Sequence, residues 1–177
     1  MIRLTTLLLL APALAGCCVF NDDNHFEGEG ELIVRECWPF QNYTVELGSW
    51  QPGETASVRR TFSGLPEMDW VAGFAVANPD RLSCADLEES ALSEAVIELT
   101  LKQDGLILFT ERGPLRDWVW TWGGSGEGQE LCHVYTRETY FTATHSARYE
   151  LLLEADPAGP PAPELLLHVK TFAVYTP

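Results

Sequence analysis

From Glu31 onward the chain is written in short runs of β-branched and aromatic residues, each closed by Pro, Gly, Asn or Asp. "ELIVREC" (31–37), "YTVEL" (43–47), "ASVRRTF" (56–62) and "DWVAGFAVA" (69–77) set the pattern. "ELCHVY" (130–135), "ETYFTAT" (138–144), "ARYELLLEA" (147–155) and "ELLLHVKTFAVY" (164–175) continue it. Runs of this length and composition read as strands. About ten of them, spaced roughly 8–12 residues apart, predict an all-β fold: an antiparallel β-sandwich, immunoglobulin-like or jelly-roll-like. The Cys…Trp…Cys spacing of antibody domains is not matched.

Two segments add detail. "AVIELTLKQDGLILFTER" (95–112) alternates through Ile97, Leu99 and Leu101 and reaches Asp104-Gly105, a strong two-residue turn signal, so it predicts a hairpin. "SCADLEESALSEA" (83–95) is the one helix candidate, with Ser83 able to cap and Asp86 in the first turn, and it predicts a short helical turn near 84–92. Neither an internal repeat nor a second domain is visible.

The opening "MIRLTTLLLLAPALAGCC" has a different plan. Arg3 supplies a positive start, an apolar stretch follows from Leu4 to about Leu14, and small residues precede a cysteine, as in a secretory signal peptide. Leu14-Ala15-Gly16-Cys17 resembles the lipobox of bacterial lipoproteins. The resemblance covers residues 1–17. It implies cleavage after Gly16 and lipidation of Cys17, and Cys18 in place of Asp after it implies the outer membrane, with the body facing the periplasm. The expected organisation is a signal peptide over 1–16, a lipidated flexible tether over 17–30 and one sandwich domain over 31–177. Acyl chains hold such a tether to a bilayer, and no later stretch approaches the roughly 18 apolar residues of a spanning helix.

Charge and cysteines bound the partners. Residues 1–16 carry Arg3 and no acid, so ten bases stand against 26 acids in the rest, a net charge of −16. Nucleic acid is excluded as a partner, because phosphate binding needs clustered Lys and Arg. A basic protein partner fits, although solubility alone accounts for such a charge. With Cys17 lipidated and Cys18 in the tether, Cys37, Cys84 and Cys132 leave one bridge and one thiol, and Cys84–Cys132 is the favoured pairing. Zinc is not expected, since no C-x₂-C pair or histidine stands at ligand spacing, and no other cofactor is implied.

Catalytic chemistry finds little to work with. His25, His133, His145 and His168 are scattered, and Ser146 beside His145 on an extended chain would point to the opposite face. "GGSGEG" fails as a nucleophile elbow because Glu127 stands where Gly is needed. The acidic pairs Asp22/Asp23 and Glu88/Glu89 read as solvated, and Asn42-Tyr43-Thr44 is a sequon that a bacterial lipoprotein would ignore. The chain is expected to be no enzyme.

The stretch "DWVWTWGGSG" (117–126) is the candidate ligand site. On a strand, Trp118, Trp120 and Trp122 share one face, which could stack sugar rings. Burial competes: each indole removes up to about 150–250 Å² from water, and Asp117, Val119 and Thr121 make the better solvent face. The core reading is preferred, with Trp122 the ring left at the rim; Trp38, Trp50 and Trp70 read as core or rim. Two functions follow as expectations. One is a lipid-anchored, non-enzymatic periplasmic sandwich that binds another protein or supports the cell envelope, a toxin-neutralising immunity lipoprotein being the concrete version. The other is a glycan-binding module on the tryptophan face.

Overall fold

The computed structural model describes residues 26–37, 40–77, 83–124, 130–157, 163–171 and 174–175. Its strands in chain order are β1 (Glu27–Gly28), β2 (Glu31–Cys37), β3 (Phe40–Trp50), β4 (Ser57–Ser63), β5 (Asp69–Ala77), β6 (Val96–Gln103) and β7 (Leu106–Pro114). After them come β8 (Val119–Gly124), β9 (Glu130–Tyr135), β10 (Tyr140–Thr142), β11 (Arg148–Ala155), β12 (Leu165–Lys170) and β13 (Val174–Tyr175). A short helix, α1 (Cys84–Glu88), and three 3₁₀ turns complete the described elements. One sheet runs β1-β4-β11-β6-β7. The other runs β13-β3-β12-β5-β9-β8, with β2 also on β3 and β10 also on β5. The fold is an all-β sandwich of antiparallel strands.

Period-two alternation decides which face closes. In the five-stranded sheet Tyr149, Leu151 and Leu153 of β11 turn inward beside Ile97, Leu99 and Leu101 of β6, with Leu151 opposite Leu101 and Leu153 opposite Leu99. The other sheet answers with Trp70, Phe74 and Val76 of β5, Leu165, Leu167 and Val169 of β12, and Val45 and Leu47 of β3. Polar residues of the same strands, such as Glu150, Glu98 and Lys102, fall on the outer face, where Lys102 Nζ pairs with Glu150 at 2.8 Å. Tyr149 joins the layers. Its ring lies 5.6 Å from Phe62 in its own sheet and 5.5 Å from Phe141 in the other. Its hydroxyl accepts the Thr144 N–H at 2.7 Å, which fixes the corner that leads into β11.

The β6–β7 hairpin turns at Asp104 and Gly105, with φ of 51° and 83°. Two successive positive φ values are what a tight two-residue turn requires, and Gly at the second position meets no steric penalty. Asp104 also exchanges bonds with Arg148: its N–H donates to the Arg148 carbonyl (2.8 Å) and its carboxylate accepts the Arg148 N–H (3.0 Å).

Several boundaries differ from expectation. Glu27–Gly28, assigned to the tether, form a strand of the sheet: β1 pairs with β4, Glu29 N–H donates to Thr61 O, and Phe26 stacks on Phe62 at 6.4 Å. The Gly-rich, acidic composition hid a strand held by main-chain bonds. Residues 115–117 form a 3₁₀ turn, and the tryptophan strand begins only at Val119. Similarly, 137–139 is a capped turn ahead of a three-residue strand. The last run, 164–175, divides at Thr171, whose hydroxyl takes the Tyr43 N–H at 2.9 Å where a ladder bond would otherwise go. Strands of two or three residues carry no periodicity, which is why about ten strands were expected and thirteen are described.

A disulfide joins Cys84 on α1 to Cys132 on β9, with Cα atoms 5.5 Å apart. It spans 48 residues, a loop whose closure stabilises by up to about 4 kcal/mol in the chain-entropy account. Reduction should therefore lower the urea midpoint, equivalent to about 2–4 kcal/mol. Tyr149→Phe should cost about 1 kcal/mol through loss of the corner bond, read from the same unfolding curves.

Candidate functional site

The small residues of β5 determine what can gather on the outer face of the larger sheet. β5 sits between β12 and β9, and on its outer side it presents Val71, Gly73 and Ala75. His168 of β12 stands opposite Gly73, and His133 of β9 opposite Ala75. With no long side chain between them, the two imidazoles lean across the strand and meet edge to face at 4.7 Å. Gly73 is obligatory for packing: a Cβ there would lie 2.5 Å from the Val134 carbonyl oxygen. Lys170 and Tyr135 continue the same face, the ammonium 6.0 Å from the ring centroid, and Tyr135 meets Tyr140 of β10 at 6.2 Å.

Burial dominates the electrostatics. His168 is 4% exposed, and burial, followed by the nearby His133 and Lys170, holds its pKa well below the usual histidine value. Burial, then the charge of Lys170, lowers His133 to about 4. Lys170 is itself lowered by burial to about 8. Both rings are therefore neutral at pH 7, and His133 Nδ1 and His168 Nε2 have no hydrogen-bond partner. Chemically the pair is a proton acceptor that stays uncharged until the medium is strongly acidic. Among the described residues no three His, Cys, Asp or Glu groups stand together to hold a metal ion.

The tryptophan face reads differently. Trp118 is 5% exposed and packs 5.4 Å from Phe74, and Trp120 is partly buried against the core with its Nε1–H donating to Leu115 O at 2.9 Å. Trp120 is in register with Val134 and Trp122 with Cys132, both fully buried positions. Trp118 and Trp120 thus take the core side, the reading preferred from the sequence, and not a sugar-stacking platform. Their face is the inner one, because Val119 and Thr121 take the outer face. The side chain of Trp122, like Trp38, His25, the Asp22/Asp23 pair, Cys17, Cys18 and the 125–129 loop, lies outside the described residues.

Other singled-out residues take structural places. Trp50 is buried and donates to Thr55 Oγ1 at 2.9 Å. Asp86 completes a capping box with Ser83, and those bonds hold its carboxyl below its ordinary pKa. His145 and Ser146 are exposed on a turn. The His133–His168 pair escaped the sequence reading. The alternation in "ELCHVY" and "LLLHVK" puts each histidine on the face opposite Cys132 and Val134 or Leu167 and Val169, but nothing local says that the two strands flank one glycine-bearing strand.

No protein-family model matches the chain, and no curated protein matches it in sequence. Among the described residues no helix is long and apolar enough to cross a membrane.

Because the folded-state pKa values of both histidines are depressed, the unfolded chain binds more protons as pH drops below about 6.5. Their contribution is intact above that pH and is lost progressively toward about 4, while Asp86 and Glu150, also held low, act at still lower pH. The urea midpoint should fall between pH 6.5 and 4, and His133→Gln with His168→Gln should flatten that limb. Trp118→Ala should cost about 3–5 kcal/mol, measured by unfolding at pH 7, as befits a core ring.

Proposed function

We propose that the protein is a non-enzymatic, lipid-anchored envelope protein, held through Cys17 and facing the periplasm, that binds a basic protein in the manner of a toxin-neutralising immunity lipoprotein. One geometric observation carries the reading: the sandwich has a chain-entry end and an acidic far end. The chain enters the five-stranded sheet at Glu27, level with Ser63 and Arg148. The opposite end, where β6 begins and β7 finishes, carries α1 and the 3₁₀ turns at 91–94 and 115–117. Asp86, Glu88, Glu89, Glu94 and Asp117 are all exposed there, and the one base of these turns, Arg116, is paired with Glu94.

Three further facts support this reading. The described residues begin at Phe26, nine positions after Cys17, so little chain separates the sheet from the proposed anchor. The Cys84–Cys132 bridge suits an oxidising compartment. The charge of −16 outside residues 1–16 favours attraction of a cationic partner, with salt-sensitive association.

Labelled palmitate should enter the wild-type protein, and Cys17→Ser should abolish the label; label-free wild-type protein would remove the anchor. For the binding role, cells lacking the protein should be outcompeted by wild-type siblings, and complementation should restore them. Glu88→Lys with Glu89→Lys should fail to restore them while still folding and taking up lipid. Equal fitness of the deletion strain in contact culture would count against an immunity role.

A further inference from the structure

The β6–β7 hairpin ends in an apolar tip that the core does not use. Leu106 is 74% exposed, Ile107 63% and Leu108 42%, and they follow one another at the start of β7, the edge strand of the five-stranded sheet. A hairpin tip that leaves three successive large aliphatic side chains in water, on both faces of the strand, marks a contact surface. The register shows where this one points. Glu27 pairs with Ser63, Ser63 with Arg148, Tyr149 with Gln103, and Gln103 with Leu106. The apolar tip and the point at which the chain enters the fold therefore lie along the same end of the same sheet.

Distances make the coincidence useful. Cys17 is nine residues before Phe26, so even a fully extended link reaches only about 30 Å. From β1 to β7 there are four strand spacings, about 19 Å across the end of the sheet. An anchor at Cys17 keeps this end near the bilayer and brings the tip within reach of it. We infer that Leu106, Ile107 and Leu108 rest in the lipid surface, a second and non-covalent contact that orients the sandwich on the membrane. The inference rests on the lipid-anchor reading above. The entry segment carries Glu27, Glu29 and Glu31, so the contact suits a bilayer of low negative charge.

The test uses the full lipoprotein in phosphatidylcholine vesicles, with a photo-activatable phenylalanine analogue at Ile107 and, as control, at Glu88. Intact mass first establishes whether lipid is present on Cys17. Lipid adducts should form at position 107 about tenfold more than at 88, and Leu106→Ser with Leu108→Ser should reduce them by about the same factor at unchanged Tm. Replacing half the lipid with phosphatidylglycerol should lower the yield. Lipidated protein that gives no lipid adduct at 107, or that crosslinks there to protein or to a second copy of itself, overturns the tip contact and leaves the anchor standing. Absence of lipid on Cys17 overturns the anchor, and the tip contact falls with it.

Discussion

Tyr149 occupies the point where the two layers of the sandwich are held in register. Its ring touches Phe62 within one sheet and Phe141 in the other, and its hydroxyl is spent on the main chain at Thr144. A buried tyrosine needs such a partner, since an unpaired hydroxyl in an apolar interior is costly. The arrangement couples three things that could otherwise vary independently: the turn before β11, the inward face of β11 and the separation of the sheets. Leu151 and Leu153 inherit their orientation from it, and β6 inherits its own from them through the paired register. The hairpin that follows β6, with its exposed tip, is therefore placed by a residue on another strand.

The larger sheet is governed by a different constraint. β5 is buried on both faces, with Trp70 and Phe74 inside and Gly73 and Ala75 outside. A central strand carrying small residues on its outer side makes a shallow channel, and neighbours on the adjoining strands fill it. Here two histidines, a lysine and a tyrosine do so. The lowered pKa values of the two histidines and of Lys170 follow from that packing, with burial the leading cause in each.

Legibility followed the length of the elements. The hairpin over β6 and β7 could be read because eight residues of alternation end at Asp-Gly, a local rule that tertiary contacts did not override. The helical turn at Ser83 was equally local, since its cap is made by Asp86 three residues on. β1 could not be read, because Glu27-Gly28 owes its strand state to β4 at residues 62 and 63. The tryptophans showed their shared face but not its direction, which was inferred only from the poorer apolar character of Asp117, Val119 and Thr121. The histidine pair was the least accessible, as its two members lie 35 positions apart and meet only through the order of strands.

The disulfide has a temporal side. Body cysteines occur in the order Cys37, Cys84, Cys132, and the bridge unites the second and third. Were the chain exported N-terminus first, as proposed above, Cys84 would meet an oxidising environment while Cys132 is still 48 residues behind. During that interval the thiols within reach of Cys84 are those that precede it, Cys18 and Cys37, so a bond formed then would differ from the Cys84–Cys132 bridge of the finished fold. Thiol–disulfide exchange would move such a bond forward once β9 pairs with β5. The native bridge can thus close only once Cys132 has joined the chain, with β10 to β13 still to follow it.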